Sequence, residues 1–544
     1  MLTRWIAFSG LLCLLNCTHT VGARAPQAPE SDPPGQVARV SLIRGDLEWK
    51  PAGTSSWRHA DLNQPLSVGD EIWTANDGRA ELQTGAATIR LAAGTQMAFL
   101  NLSDEVIQIK LTLGTLRVRL RSLEEKDAFE LSTPNAAISL LRAGDYRLEV
   151  QPASSSARLA VYLGNAEVHG LKQTSVAHAG EELTLTGVET LTTATGPLRA
   201  EDDFDAFCIS RDREAERSRS AEYVSPRVIG YSDLDAYGSW SVDVTWGPVW
   251  MPSRVPPLWA PYRFGHWIWM PPWGWTWVDD TPWGFAPFHY GRWLRLRGNW
   301  SWLPGPRIHR AIYAPALVVF VGGGSPRLQY HYQLASGLGV AWFPLGPREI
   351  YTPPFRASRR YVTNVNISNT VVIHPDRIHQ SDPYRQNYRN RHENGAVTAV
   401  PREDFVGGRP LRGVAQVPSP ADVSRTQISG MAPPVDPRRE PLVRGGAAGG
   451  VVNGPPARNS PPAIVRQPTP TRDPSVRQIP RSPGERGAGR PEGRPEAPTR
   501  QPRIPADGRQ ETRTPTRTER ERSRSIERER SPSSRVPAER RRPE

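Results

Sequence analysis

The chain has 544 residues, enough for about three domains of ~150 residues each. Its 55 Pro and 46 Gly exclude a chain that folds compactly throughout. The formal net charge of +13 belongs to residues 375–544, which hold 33 Arg against 20 Asp and Glu, so the part expected to fold is neutral.

The N-terminus predicts export. Arg4 supplies a positive charge, residues 5–15 form an apolar stretch of about 11 residues, and Ala23-Arg24-Ala25 fits a small-x-small cleavage site. The apolar stretch is too short to cross a membrane as a stable helix. We expect residues 1–25 to be a secretory signal peptide and residues 26–36, rich in proline, to be a linker. The expected location is the periplasm or outer cell envelope of a bacterium.

The cysteines leave an alternative open at this end. Leu14 lies three residues before Cys17, as in a bacterial lipoprotein signal, so lipidation at Cys17 would begin the mature chain there. With cleavage after Ala25, Cys208 is left alone, which argues against an intramolecular disulfide or a cysteine-rich zinc site. Cys208 is expected to be a small buried apolar residue.

Residues 37–195 alternate apolar and polar positions, with Gly-x turns every ~8–12 residues. This pattern predicts an all-β domain of short antiparallel strands. One polar face carries Arg117, Arg119 and Arg121. We expect these arginines to lie on a solvated strand face, and an anion-binding site is the alternative.

Two segments of this domain resemble a known family. Gly69-Asp70-Glu71-Ile72-Trp73-Thr74 and, later, Thr133-Pro134 resemble the G-D-x-I-x-T and T-P-x-A segments of the FecR-like domain. The resemblance covers residues 37–187 and implies a domain outside the inner membrane. In the best-known members this domain relays a transport signal across a membrane helix to a cytoplasmic sigma-factor-binding segment. The sequence shows no second apolar stretch of ~20 residues, so we transfer the domain and not the relay.

Residues 200–228 are predicted to form a bridging helix. Phe204, Phe207 and Cys208 fall on one helical stripe. Asp202 and Asp203 suit the N-terminus of such a helix, and the arginine-rich end suits its C-terminus.

Residues 229–370 hold most of the tryptophan. Of the 18 Trp, 13 lie between Trp240 and Trp302, and Trp-Ala-Pro-Tyr recurs 26 residues later as Phe-Ala-Pro-Phe. A period in this range is typical of repeat architectures. Proline and glycine bound each piece, which predicts short β-hairpins with aromatic cross-strand pairs.

Several strings between residues 204 and 369 carry a second resemblance; they are Gly230–Trp240, Val249–Pro252, Trp259–Trp269 and Val340–Leu345. They resemble a family of exported bacterial proteins, the domain-of-unknown-function family 6600. The resemblance implies export and a FecR-like domain that commonly comes first. It implies no established activity.

The tryptophans have two interpretations. As core, each buried indole removes ~200 Å² from water, and at ~25 cal/mol/Å² a few rings suffice to hold a stack of hairpins. As an exposed surface, they would stack on sugar rings. The candidate ligand-binding residues share strand faces in two rows, Trp267 with Trp269 and Trp273 with Trp275 and Trp277. We expect most of the indoles to be core.

We expect no enzyme, no cofactor and no metal centre. Asp279 and Asp280 are neighbours that would point to opposite faces of a strand, so a hairpin turn is favoured over a catalytic pair. The histidines of this region lack metal-binding spacing and are expected to be half-exposed strand residues; they are His266, His289, His309 and His331.

Residues 371–544 are predicted to be a disordered Pro/Arg-rich tail. No aromatic residue follows Phe405, and arginine is mixed with glutamate and proline, so too little apolar surface is available for folding. Export argues against a nucleic-acid partner. The tail is either a solvated tether or a segment that touches an anionic membrane surface.

These features together predict a mainly all-β, non-enzymatic exported envelope protein. Its parts are a FecR-like antiparallel β domain, a short bridging helix, a Trp-rich β-hairpin repeat domain and a long disordered tail. The expected function is binding or scaffolding at the cell surface through aromatic rows, with envelope polysaccharide or peptidoglycan as partner. The alternative is a signalling accessory whose FecR-like domain docks onto another envelope protein.

Overall fold

The computed structural model describes residues 32–322, 332–335, 337–370, 375–380, 382–429, 432, 451–452 and 462–468. The fold is mainly β, with 40% strand and 15% helix, which confirms the predicted class. The predicted signal peptide 1–25, the lipidation candidate Cys17, most of the linker 26–36 and most of the tail 371–544 lie outside the described residues.

Residues 38–197 form the first domain, which consists of short strands joined by tight turns. Its strands are β1 Ala38–Arg44, β2 Leu47–Lys50, β3 Trp57–His59, β4 Pro65–Leu66, β5 Glu71–Thr74, β6 Arg79–Gln83, β7 Ala87–Leu91, β8 Gln96–Leu102, β9 Val106–Leu120, β10 Ala128–Ser132, β11 Ala137–Leu140, β12 Gly144–Gln151, β13 Ser156–Leu163, β14 Asn165–His169, β15 Thr174–His178, β16 Glu181–Thr186 and β17 Thr192–Pro197.

These strands make two sheets that share the long strand β9. The first sheet has the order β4-β1-β6-β7-β9-β12-β13-β16-β17 and uses the C-terminal half of β9. The second sheet has the order β3-β2-β5-β8-β9-β10-β11-β14-β15 and uses its N-terminal half. Within this domain all pairs are antiparallel except β9–β10, which is parallel.

The two sheets share one apolar core. Ile89 and Leu148 from the first sheet and Phe99 from the second are fully buried in it. Strand β9 passes from one sheet to the other at Gly114, which has a φ of +90°. A Cβ at Gly114 would lie 2.5 Å from the Thr95 hydroxyl oxygen, so only glycine fits this crossing.

A helix follows the first domain and packs back onto it. Helix α1 spans Asp203–Glu216, and the Asp202 carboxylate caps its start by accepting hydrogen bonds from the N–H groups of Phe204 and Asp205. Phe204, Phe207 and Cys208 are buried together against the first sheet. The helix therefore lies in the predicted bridging segment, and Cys208 is buried as expected.

Acidic residues of helix α1 also contact two arginines of strand β9. Arg117 lies 2.7 Å from the Asp205 carboxylate, and Arg119 lies 3.1 Å from Glu216. Arg121 donates to two backbone carbonyl oxygens. The expectation of a solvated strand face is therefore wrong for Arg117, which is buried against Asp205, whereas Arg119 is partly exposed and Arg121 is exposed.

The second domain spans residues 234–428 and mixes strands with short helices. Its elements are α2 Leu234–Tyr237, β18 Gly238–Asp243, β19 Gly247–Pro252, β20 Gly265–Met270, β21 Gly274–Asp279, α3 Ala286–His289, β22 Arg292–Leu296, β23 Asn299–Leu303, β24 Val318–Gly322, β25 Tyr332–Leu334, β26 Gly337–Pro344, α4 Arg359–Asn369, α5 Pro375–Gln380, β27 Thr398–Pro401, α6 Arg402–Val406, α7 Pro420–Ser424 and β28 Gln427–Ile428. Further along, β29 Val451–Val452 pairs with β3 of the first domain. Short 3₁₀ turns lie at Pro152–Ser154, Arg219–Glu222, Tyr231–Asp233 and Arg389–Arg391.

Three sheets organise the described part of the second domain. They are β18-β19-β23-β22, the hairpin β20-β21, and β25-β26-β24-β28 with β27 paired to β26. An aromatic core joins them, with Trp250, Trp267, Trp293 and Trp342 all at most 1% exposed. The predicted short hairpins with cross-strand aromatic pairs are confirmed, since Trp240 faces Trp250 and Trp293 faces Trp302 across paired strands.

The second domain extends beyond its predicted boundary at residue 370. Strand β27 pairs with β26 and β28 pairs with β24, so both belong to its third sheet. Phe405 of α6 is fully buried in the aromatic core. The boundary is therefore wrong, because residues 397–406 bury apolar side chains although the segment around them is rich in charged and polar residues.

Candidate functional site

The candidate ligand-binding tryptophans lie mostly in the core. Trp267, Trp273, Trp275 and Trp277 are 1%, 2%, 4% and 0% exposed, and Trp269 is half-buried. The core interpretation is therefore confirmed for the first four. An exposed row made of Trp273, Trp275 and Trp277 is wrong, because Trp273 precedes the strand and the other two point into packed protein.

Packing between paired strands explains this burial. Trp267 lies opposite Trp277 with ring centroids 5.4 Å apart, and Trp269 lies opposite Trp275 at 5.5 Å, both edge to face. Phe405 then covers Trp275 at 4.5 Å. Each such pair contributes about 0.5–1.5 kcal/mol beyond the area that it buries, so the rings hold the hairpin in place.

Indole N–H groups also tie strands to loops. Their acceptors are backbone carbonyl oxygens; the pairs are Trp250 to Leu234, Trp293 to Pro287, Trp302 to Tyr290 and Trp342 to Tyr262. A buried indole usually finds such a partner, because an unpaired donor costs about 1–3 kcal/mol. These four rings are structural.

A cleft of about 350 Å³ lies where the two domains meet. Trp49 of β2 and Asp70, just before β5, line the wall from the first domain, and His266 and Trp269 of β20 line the wall from the second. Trp49 and Trp269 are both half-buried, so each shows part of its ring. The cleft is thus the place where indoles of both domains remain open to a ligand.

Asp70 is a fixed oxygen acceptor in this cleft. Its carboxylate accepts hydrogen bonds from the Ser67 N–H at 2.7 Å and the Ala52 N–H at 2.9 Å. Burial raises the pKa of Asp70 to about 6, and these hydrogen bonds offset part of the rise. The group therefore gains a proton in mildly acidic solution and is ionised at neutral pH.

A second polar pair joins the two walls. His266 Nε2 of β20 lies 3.4 Å from Asp61 Oδ2 of the first domain, and both residues line the cleft. Arg58 and His59 lie on the same wall as Asp61. The cleft thus combines two indole faces with carboxylate, imidazole and guanidinium groups, which suit a ligand rich in hydroxyl groups.

Arg39 of β1 holds the two walls in register. This fully buried side chain donates to Asp233, in the 3₁₀ turn just before the second domain, at 2.6 Å and to the Pro282 carbonyl oxygen of the second domain at 3.2 Å. Within the first domain it donates to the Asn63 amide oxygen at 2.6 Å, and Asn63 in turn donates to the Asp279 carbonyl oxygen. One guanidinium group therefore positions the cleft.

Asp279 ends strand β21 beside this junction, and Asp280 follows it. Asp279 is 1% exposed and accepts from the Trp277 indole and from Thr281, whereas Asp280 is exposed. Burial raises the pKa of Asp279 to about 8. The two side chains thus differ in environment as expected of strand neighbours, and Asp279 fixes the turn after β21.

The histidines differ from expectation. His266 and His289 are buried, so the prediction of half-exposed strand residues is wrong for them. Burial lowers the pKa of His289 to about 3, and its Nδ1 lies 2.8 Å from the Ala314 carbonyl oxygen. His309 is exposed beside Glu124, and His331 lies outside the described residues.

The described ranges contain no group of three or more His, Cys, Asp or Glu side chains that could hold a metal ion. Among the same residues no helix is long and apolar enough to cross a membrane.

Comparison with known proteins gives a family match for part of the chain. Residues 231–349 match a family of unknown function, DUF6600. The DUF6600 match lies inside the stretch 204–369 whose strings resembled that family. It contains the hairpin β20-β21, which supplies part of the cleft wall from the second domain.

The other comparisons are weaker. Two crystal structures, described as a "putative anti-sigma factor" from Parabacteroides distasonis ATCC 8503, are similar at 15% and 14% identity, each with a TM-score of 0.22. The similarity covers 24% of this chain and 60% of that one. No curated protein matches.

The strand pattern of the sequence indicated tryptophans on one wall of this cleft and no binding residue on the other wall. It named Trp267 and Trp269 but not Trp49, which stands alone in its strand and carries no repeat signal. Asp70 entered only as part of a family motif. Nothing in the linear sequence brings Asp70 and Trp269 together, since 199 positions separate them.

Proposed function

We propose that this chain is a non-enzymatic exported protein of the cell envelope that binds a polysaccharide in the cleft between its two β domains. One observation carries the proposal: two half-buried indoles, Trp49 and Trp269, line one cleft together with the polar groups of Asp70 and His266. Its volume of about 350 Å³ lies within the range of small-ligand sites, roughly 300–1,000 Å³.

The chemistry favours a sugar over a flat apolar ligand. An indole face packs against the C–H groups of a sugar ring, and carboxylate and imidazole groups bind its hydroxyls. Envelope polysaccharide and peptidoglycan both offer this combination. Export and an envelope location are parts of the proposal, supported by the N-terminal sequence.

Retention of the full-length chain on insoluble peptidoglycan and on extracellular polysaccharide tests the proposal. Trp49→Ala and Trp269→Ala should each weaken binding by about tenfold, which is ~1.4 kcal/mol. Trp57→Ala is the matched control, because Trp57 is a half-buried indole on β3 that packs on Trp73. Equal binding by all three variants, each with an unchanged circular dichroism spectrum, would exclude the cleft as the site.

The alternative is a signalling accessory whose first domain docks onto another envelope protein. Chemical crosslinking in intact cells separates the two, because a protein partner yields one discrete adduct and a polymer yields a heterogeneous one. A single adduct that persists in Trp269→Ala would replace the polysaccharide proposal.

A further inference from the structure

A row of polar residues, two of them buried, crosses the outer face of the second sheet. Gln108 of β9, Glu130 of β10, Ser139 of β11 and Glu167 of β14 are register partners in turn. Ile107 and Ile109 point into the core, so Gln108 between them faces outward. Yet Gln108 and Glu130 are only 5% and 2% exposed. Outward polar residues this buried must be covered by another part of the chain.

The cover is a short segment from the C-terminal part of the chain that forms neither helix nor strand. In residues 462–468, Pro-Ala-Ile-Val-Arg-Gln-Pro, the Ile464 N–H donates to the Thr133 carbonyl oxygen at 2.8 Å. The Gln108 amide donates to the Arg466 carbonyl oxygen at 3.0 Å, and the Glu130 carboxylate accepts from the Arg466 N–H. Two of these contacts join polar side chains of the sheet face to the main chain of the segment, and the third joins two main chains.

Charge adds selectivity to these backbone contacts. Glu130 lies close enough to Arg466 for their opposite charges to interact. Gln108 also donates to Glu130 at 2.7 Å, which fixes the carboxylate under the segment. Val465 is 55% exposed and contributes little. The face therefore favours a segment whose main chain reaches Thr133 and Gln108 and whose side chain at the position of Arg466 is positively charged.

The same short sequence recurs further along the chain. Val465-Arg466-Gln467 is repeated as Val476-Arg477-Gln478, and Arg466-Gln467-Pro468 is repeated as Arg500-Gln501-Pro502. Both copies lie outside the described residues. The tail thus carries the docked chemistry more than once.

We propose that the outer face of the second sheet is a docking site for a peptide segment with an arginine at the position of Arg466, and that residues 462–468 of the same chain are its resident occupant. A partner with the same short sequence binds this face only by displacing that segment. The site is separate from the interdomain cleft and does not depend on the polysaccharide proposal.

Limited trypsin digestion of the full chain tests the resident occupant. The readout is the ratio of the cleavage rate after Arg466 to the cleavage rate after Arg477. Both arginines lie between a valine and a glutamine. Gln108→Ala and Glu130→Gln leave the cleaved sequence intact and should raise this ratio by about tenfold, while Gln151→Ala on the other sheet should not. An unchanged ratio would overturn the proposal. A ratio that rises when the unmodified chain is diluted a hundredfold would also overturn the proposal, because the occupant would then belong to a second copy of the chain.

A labelled peptide of residues 462–468 tests the site itself by fluorescence anisotropy. Ile464→Pro in the full chain removes the N–H that binds Thr133, so this variant should vacate the face and bind the peptide at least about tenfold more tightly than the unmodified chain. A peptide with glutamate in place of the arginine should not bind. Equal binding of the first peptide by both chains, or no binding by either, would contradict the assignment.

Discussion

At the residue scale, the indoles show how one residue type divides between the core and the wall of a cleft. Trp267 and Trp269 share a strand face, yet the first is 1% exposed and the second is half-buried in the cleft wall. The difference comes from Phe405 and Trp342, which cover Trp267 and belong to distant parts of the chain. Strand periodicity alone cannot rank two residues on the same face.

Asp279 is expected to make stability depend on pH. Its pKa is about 8 in the folded chain, against an ordinary value of 3.8, because burial disfavours the charged form. Between these two values the folded chain holds a proton that the unfolded chain releases. The contribution of Asp279 to the free energy of unfolding is therefore full below about pH 4 and is lost as the pH rises through about 8. Asp279→Asn cannot titrate and should flatten that fall.

The measurement is the free energy of unfolding in urea at about pH 5 and about pH 8 for both chains. Asp70, whose raised pKa acts in the same direction, is present in each and cancels from the comparison. If the free energy of unfolding falls equally in both chains between the two pH values, Asp279 is not the cause of the fall.

At the element scale, helix α1 is held on the first sheet by acidic residues at its start. Asp205 is 1% exposed and lies 2.7 Å from Arg117 and 2.6 Å from Arg147. Asp205→Ala should lower the free energy of unfolding by about 3 kcal/mol, because it leaves two poorly solvated arginines with fewer partners. Asp203→Ala removes an exposed carboxylate from the same turn and should cost less than about 1 kcal/mol.

Chemical denaturation of the two variants gives the comparison. Equal destabilisation would mean that α1 is held by its apolar stripe and not by the arginine row. The charged ends and the apolar stripe of α1 predicted the helix from the sequence. The sequence did not show that arginines of β9 contact this helix, because β9 and α1 are far apart in the chain.

At the scale of the whole molecule, the two domains depend on Arg39. Arg39→Ala should lower the free energy of unfolding by about 3–5 kcal/mol, because Asp233 loses its buried cation at the junction. It should also weaken polysaccharide retention, because the cleft walls lose their register. Arg44→Ala, at the exposed end of the same strand, is the control. The prediction fails if calorimetry gives the same unfolding temperature for both variants.

The sequence by itself determined the β class, the hairpins and the structural use of most indoles, because strand alternation, glycine turns and aromatic pairing act over a few residues. Only the tertiary structure decided where the second domain ends, which arginines are covered and which two tryptophans remain half-exposed in one cleft. Those outcomes depend on contacts between residues as distant as Asp70 and Trp269 or Gln108 and Arg466. Such contacts arise when whole sheets pack against each other, and no pattern within a short stretch of sequence predicts them.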